Sequence, residues 1–140
     1  MQTFLPYPSF TESLKCLDDK RLGKQRVEAM QILKALYIAD YGWNNHPCVK
    51  MWQGYEYALV EYMNKAIKEW KDRGFNNTML TGDLTEREYK KPQWLGNKQF
   101  HISHQSNLLR KDYKFYSKYN WHTTDDVPYY WNGFAKDEGG

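Results

Sequence analysis

The segment from Trp52 to Trp70 sets the tightest limit on what this chain can fold into. Trp52, Tyr55, Leu59, Tyr62, Met63, Ala66, Ile67 and Trp70 recur every three or four residues. That spacing lines one face of a helix and fits no strand. It predicts a helix from about Cys48 to Arg73, its stripe against a core and Gly74 at its stop. A second helix is expected from about Asp18 to Ile38, with Leu22, Ala29, Leu33 and Leu36 towards the core. A third is expected from about Lys98 to Tyr116, with Ile102, Leu108, Leu109 and Phe115 inward. No segment alternates convincingly as a strand does. The expected fold is all-α: one domain over residues 1–140, with three principal helices and irregular connections.

Pro6 and Pro8 push their preceding residues towards extended geometry, so residues 1–10 read as an extended arm. Ser9, Thr11 and Ser13 are capping or turn signals. Residues 76–97 read as irregular, with one helical turn at Thr85–Tyr89, where Thr85 and Glu88 form a capping box. Residues 132–140 read as a frayed polar tail.

Mean hydropathy is −0.92, and no stretch approaches the roughly 20 apolar residues of a membrane span. The opening residues lack a cationic and apolar leader, so no signal peptide is expected. Two cysteines, Cys16 and Cys48, make no disulfide framework, and a reducing cytoplasm is the expected setting. Net charge is +3, unevenly spread. Residues 120–140 are acidic, leaving 19 basic against 13 acidic residues in the rest. Lys98, Arg110, Lys111, Lys114 and Lys118 face only Asp112 and alternate with Tyr113, Phe115, Tyr116, Tyr119 and Trp121. Cations for phosphates and rings for bases suit a nucleic-acid contact, though a solvated helix face has the same composition.

The first long helix opens with DDKRLGKQRVE, residues 18–28. Arg21, Gln25 and Glu28 fall on one face, flanked by Lys24 and Gln31. Gly23 within it costs about 1 kcal/mol relative to Ala, which fits either close packing against its backbone or a neutral surface position. A lone carboxylate among cations can be a solvated surface or a group working beside a polyanion. Metal chemistry finds little support: His101 and His104, or His46 with Cys48, match no zinc spacing. No nucleophile elbow or phosphate-binding glycine loop appears. One other nucleophile is the N-terminal amine: such amines titrate near 7.7–8.0, against about 10.4 for lysine. An arm of ten residues reaches at most about 33 Å, enough to bring the amine back to Glu28.

The run from Leu17 through Arg21 and Leu22 to Glu28 resembles the first-helix motif of the pyrimidine-dimer DNA glycosylase family. Gly42–Asn76, with His46 and Trp52-x-x-Tyr55, is similar to that family's middle helix, and Ser103–Tyr119 to its last helix and aromatic, basic tail. The resemblance implies a small all-α enzyme that cuts the glycosidic bond at damaged pyrimidines in DNA and then the backbone. It implies Glu28 as the catalytic carboxylate and the Met1 amine as nucleophile, with Gln2 hindering removal of Met1. It implies phosphate contacts from Arg21, Lys24, Arg26, Arg110, Lys111, Lys114 and Lys118, and a sugar or base contact from Gln25. His46 joins the DNA-binding set. Tyr116, Tyr119 and Trp121 are implied to stack on bases or fill the gap left by an extruded one. No metal or organic cofactor is implied, and a monomer is expected. Arg21, Val27 and Gln31 depart from the family pattern, which leaves open a modified phage base as substrate, or a binding module without chemistry.

Overall fold

The computed structural model describes residues 1–38, 40–42, 44–83 and 89–131. Among these the chain is all-α, with six α-helices, one 3-10 turn and no strand. The helices are α1 (Phe10–Lys15), α2 (Asp19–Tyr37), α3 (Pro47–Trp52), α4 (Glu56–Asp72), α5 (Lys98–Lys111) and α6 (Tyr113–Tyr116); the 3-10 turn is Ser117–Tyr119. The three long ones, α2, α4 and α5, are the three principal helices the sequence predicts. The Thr85–Glu88 capping box and the 132–140 tail lie outside the described residues. No helix among the described residues is long and apolar enough to cross a membrane.

Two expected helices are each divided. The 48–73 helix breaks at Gln53–Gly54, where Gly54 takes φ +85°, a conformation that costs a side-chain-bearing residue. The 98–116 helix breaks at Asp112. Its carboxylate accepts the Phe115 N–H at 3.2 Å, so it caps α6 instead of continuing α5. A third difference lies at the start: Ser9 caps a short helix, α1, by accepting the Glu12 N–H.

The apolar stripe of α4 is core as expected, with Leu59, Tyr62, Ala66 and Ile67 at most 1% exposed. Its most extensive helix contact is with α2. Trp52 packs edge-on against Trp94 at 4.9 Å, and Trp94 packs on Phe100. Gly23 has its packing reason: a Cβ there would stand 2.9 Å from the Trp70 ring. A larger residue would lift α2 off α4.

Residues 2–6 are buried, without a strand partner or helical hydrogen bonds of their own. A buried backbone must still be satisfied, and here side chains do it. The Phe4 N–H donates to Gln25 Oε1 at 2.8 Å, and Gln25 Nε2 donates to the Gln2 carbonyl at 3.1 Å. The Leu5 N–H donates to His104 Nδ1 at 2.9 Å, while His101 Nδ1 bonds the Leu5 carbonyl at 2.7 Å. The Tyr62 hydroxyl lies 2.9 Å from the Phe4 carbonyl and 2.6 Å from Gln25 Oε1. Gln105 Nε2 holds the Pro6 carbonyl at 2.9 Å. The arm is extended, as expected, but it is threaded through the core by α2, α4 and α5.

The histidine clamp makes the fold acid-sensitive. Burial, and secondarily His101, push the His104 imidazole down to about 3. An unfolded histidine takes its proton near 6.5. Below that pH the unfolded chain gains a proton the native chain refuses. Stability is therefore complete above about 6.5 and falls by about 1.4 kcal/mol per pH unit towards 3. Urea midpoints between pH 7 and 4.5 should show this slope, and His104→Gln, which keeps an acceptor without titrating, should flatten it.

Candidate active site

The threaded arm ends in a cleft. Met1, Gln2 and Phe4 form one side, and Lys20, Arg21, Lys24, Gln25 and Glu28 of α2 another; Lys111 and Tyr129 complete a cavity of about 270 Å³. Successive lining positions on α2 are one or three residues apart, so one helix face supplies half of the wall. Glu28 Oε2 accepts the Gln2 N–H at 2.8 Å. The first peptide unit is thereby tied to the carboxylate, and the Met1 amine stands one residue beyond it in the same cavity. Four cationic side chains and one carboxylate share this lining. Such a cavity attracts an anionic chain and stabilises a cationic centre only beside Glu28.

The first turn of α2 holds Arg21 in place. Asp18 caps the helix by accepting the Arg21 N–H at 3.3 Å, and its Oδ1 pairs with the Arg21 guanidinium at 3.1 Å. The Asp18 N–H donates to the Tyr116 hydroxyl, which in turn donates to the Asp18 carboxylate. Burial works against the Asp18 charge, but hydrogen bonds from Tyr116 and Arg21 outweigh it and hold the carboxyl below its usual range.

The sequence-derived residues divide into two groups. Met1, Arg21, Lys24, Gln25, Glu28 and Lys111 meet in the cavity. Gln25, however, is 1% exposed with its amide engaged by the arm and Tyr62. It positions the N-terminus through these bonds. Arg26 points elsewhere: its guanidinium covers the Trp70 ring at 4.4 Å and donates to Asn77 at 2.6 Å. It packs between α2 and α4 and is not part of the cavity lining. His46 caps α3 by accepting the Cys48 N–H at 3.0 Å. Burial, and secondarily the charge of the N-terminal amine, push its imidazole below the ordinary histidine range, with Glu28 opposing.

The aromatic segment is engaged within the fold. Tyr116 is fully buried and bonded to Asp18. Tyr119 donates to the Cys16 carbonyl at 2.9 Å, and Trp121 donates to the Tyr7 hydroxyl at 2.9 Å while stacking on both tyrosines. These rings clamp the C-terminal segment onto α1 and α2; Tyr116 in particular has no surface to offer a base. Lys118 lies over the Phe115 ring at 3.8 Å, Arg110 donates to the Asp125 carbonyl at 3.2 Å, and Lys114 is exposed. The candidate histidine ligands serve the arm: His101 and His104 hold Leu5, as described above. Among the described residues no group of three or more His, Cys, Asp or Glu side chains comes together.

Lys20, Gln2, Phe4 and Tyr129 line the cavity without having been singled out. Lys20 sits inside the charged run, and helical spacing from Lys24 could have found it. Nothing in the sequence connects Tyr129 to α2.

The fold and site define a helical domain in which the N-terminus and a lone carboxylate share a cationic cleft. The chain belongs to the pyrimidine dimer DNA glycosylase family, whose model matches residues 1–83. That span carries the arm, α2 and His46; Lys111 and Tyr129 lie beyond it. No curated protein and no solved structure matches the chain. The family's function is of the DNA glycosylase repair type, with DNA as substrate.

Proposed function

We propose that this protein releases a damaged pyrimidine from double-stranded DNA and then opens the resulting abasic site. The observation that carries the reading is the hydrogen bond from the Gln2 N–H to Glu28 Oε2, which ties the chain's first residues to the cavity's one carboxylate. The Met1 amine attacks C1′ of the damaged nucleotide. A C1′–N bond forms as the bond to the base breaks, and the electron pair leaves with the base. The sugar ring then opens and the amine loses a proton, giving an imine. Glu28 stabilises the cationic sugar in the transition state and carries protons between the ring oxygen and the amine. Arg21, Lys24 and Lys111 hold the flanking phosphates, with Lys20 beside them, and Lys114 extends the track. The imine acidifies C2′, and loss of that proton expels the 3′ phosphate.

Borohydride reduction during incubation with an abasic duplex tests the imine. The expected result is a covalent protein–DNA adduct. A two-residue N-terminal extension displaces the amine and should reduce the adduct about 10²-fold, the scale of loss for a misplaced reacting group. No adduct with the unextended protein would leave a glycosylase that uses water. Ultraviolet-irradiated duplex is the substrate to test first, given the family; because a base cut from its sugar within a dimer stays joined to the neighbouring pyrimidine, release from the sugar is read there as strand scission at the new abasic site.

A further inference from the structure

Tyr129 reaches the cavity from a segment with no regular structure, and its placement is nonetheless built. The Val127 N–H donates to Ser106 Oγ at 2.9 Å, Asn107 Nδ2 to the Val127 carbonyl at 3.1 Å, and the Tyr130 N–H to Ser103 Oγ at 3.1 Å. Residues 127–130 are thus strapped along α5. The Tyr129 ring packs edge-on against His104 at 5.5 Å and at a tilt against Trp131 at 5.6 Å. His104 is the residue that holds Leu5, so ring and arm share one support.

The bonds already made by Gln2 limit what it can offer the phenol. Gln2 Oε1 is occupied: it accepts the Thr3 N–H at 2.9 Å and the Cys48 thiol at 3.6 Å. What Gln2 has left is its NH₂, which can only donate. Towards the Tyr129 phenol Gln2 can therefore act only as a donor. Tyr129 lines the cavity with Glu28, where its phenol O–H can donate to a bound group. Burial pushes this phenol up to about 12, so the proton stays in place through neutral and mildly alkaline pH.

We infer that Tyr129 is the group that stabilises the departing base, its phenol O–H donating a hydrogen bond to the pyrimidine O2 in the cavity it shares with Glu28. The inference rests on the glycosylase reading above and assigns the half of the reaction that Glu28 does not serve. When the C1′–N1 bond breaks, its electron pair is shared between N1 and O2 of the base. A fixed donor at O2 gains strength as that charge develops, as donors at other forming oxyanions do. The hydrogen bond involves no net proton transfer, and the released base takes its proton from water.

Tyr129→Phe keeps the ring packing and removes only the donor. Two rates are compared with the wild type: single-turnover base release from ultraviolet-irradiated duplex, and borohydride trapping on a preformed abasic duplex, which has no base to expel. The expected result is base release slowed about 10²-fold, trapping unchanged within about twofold, and an unchanged melting temperature. Equal slowing of both rates would overturn the inference in favour of a structural or binding role. No change in release would also overturn it. A wild-type protein that neither releases base nor traps abasic DNA would instead sink the glycosylase reading. One that traps but cuts no glycosidic bond in irradiated DNA would remove the leaving base on which the role of Tyr129 depends.

Discussion

Glu28→Gln is expected to slow base release by about 10²–10⁴-fold while leaving duplex binding intact or slightly tighter. The range is that of a positioned acid–base group whose charge also stabilises the transition state. The introduced amide can still accept the Gln2 N–H, so the arm stays seated. The lost negative charge stood among Lys20, Arg21, Lys24 and Lys111, and its removal favours an anionic ligand. Single-turnover release and binding titrations, both at fixed salt, separate the two effects. Unchanged release with unchanged binding would remove Glu28 from the mechanism. A parallel loss of binding would point to a structural role.

Gln25→Leu is expected to cost about 3–5 kcal/mol of stability and to abolish imine trapping at temperatures where the protein is still folded. One buried amide serves the Phe4 N–H, the Gln2 carbonyl and the Tyr62 hydroxyl. Leucine fills similar space but leaves two backbone groups and competes for none of their bonds. Each buried polar group stranded costs about 1–3 kcal/mol. Because those bonds seat residues 2–4, the amine loses its place together with the stability. Urea midpoints measure the first effect, and adduct yield at low denaturant the second. A variant that is destabilised but traps normally would show that the arm finds the cleft without this anchor.

The α4 stripe, the α2 face and the basic character of residues 98–118 were legible because helical periodicity and local charge are written in adjacent residues. Glu28 was legible as a candidate for the same reason, and the family motif gave it a role. Gln25 shows where that reading stops. Its spacing puts it between Arg21 and Glu28 on the cavity face, as expected, but spacing says nothing about an arm descending onto that face. The stacking role expected of Tyr116 fails similarly. Aromatic rings among lysines read alike whether they stack on bases or on one another, and contacts about a hundred residues away in sequence, such as Tyr116 with Asp18, decide between them.

By itself the sequence determined an all-α domain, the three long helices and a polar face on α2 with one carboxylate. These follow from residues within a few turns of each other. Only the tertiary structure decided that the N-terminus ends beside Glu28, that Arg26 packs on Trp70, and that Tyr129 closes the cavity wall. Each of those depends on side chains satisfying a distant backbone or ring. Such pairings have no period, and the energetic demand that buried polar groups find partners is met only once the whole chain has folded.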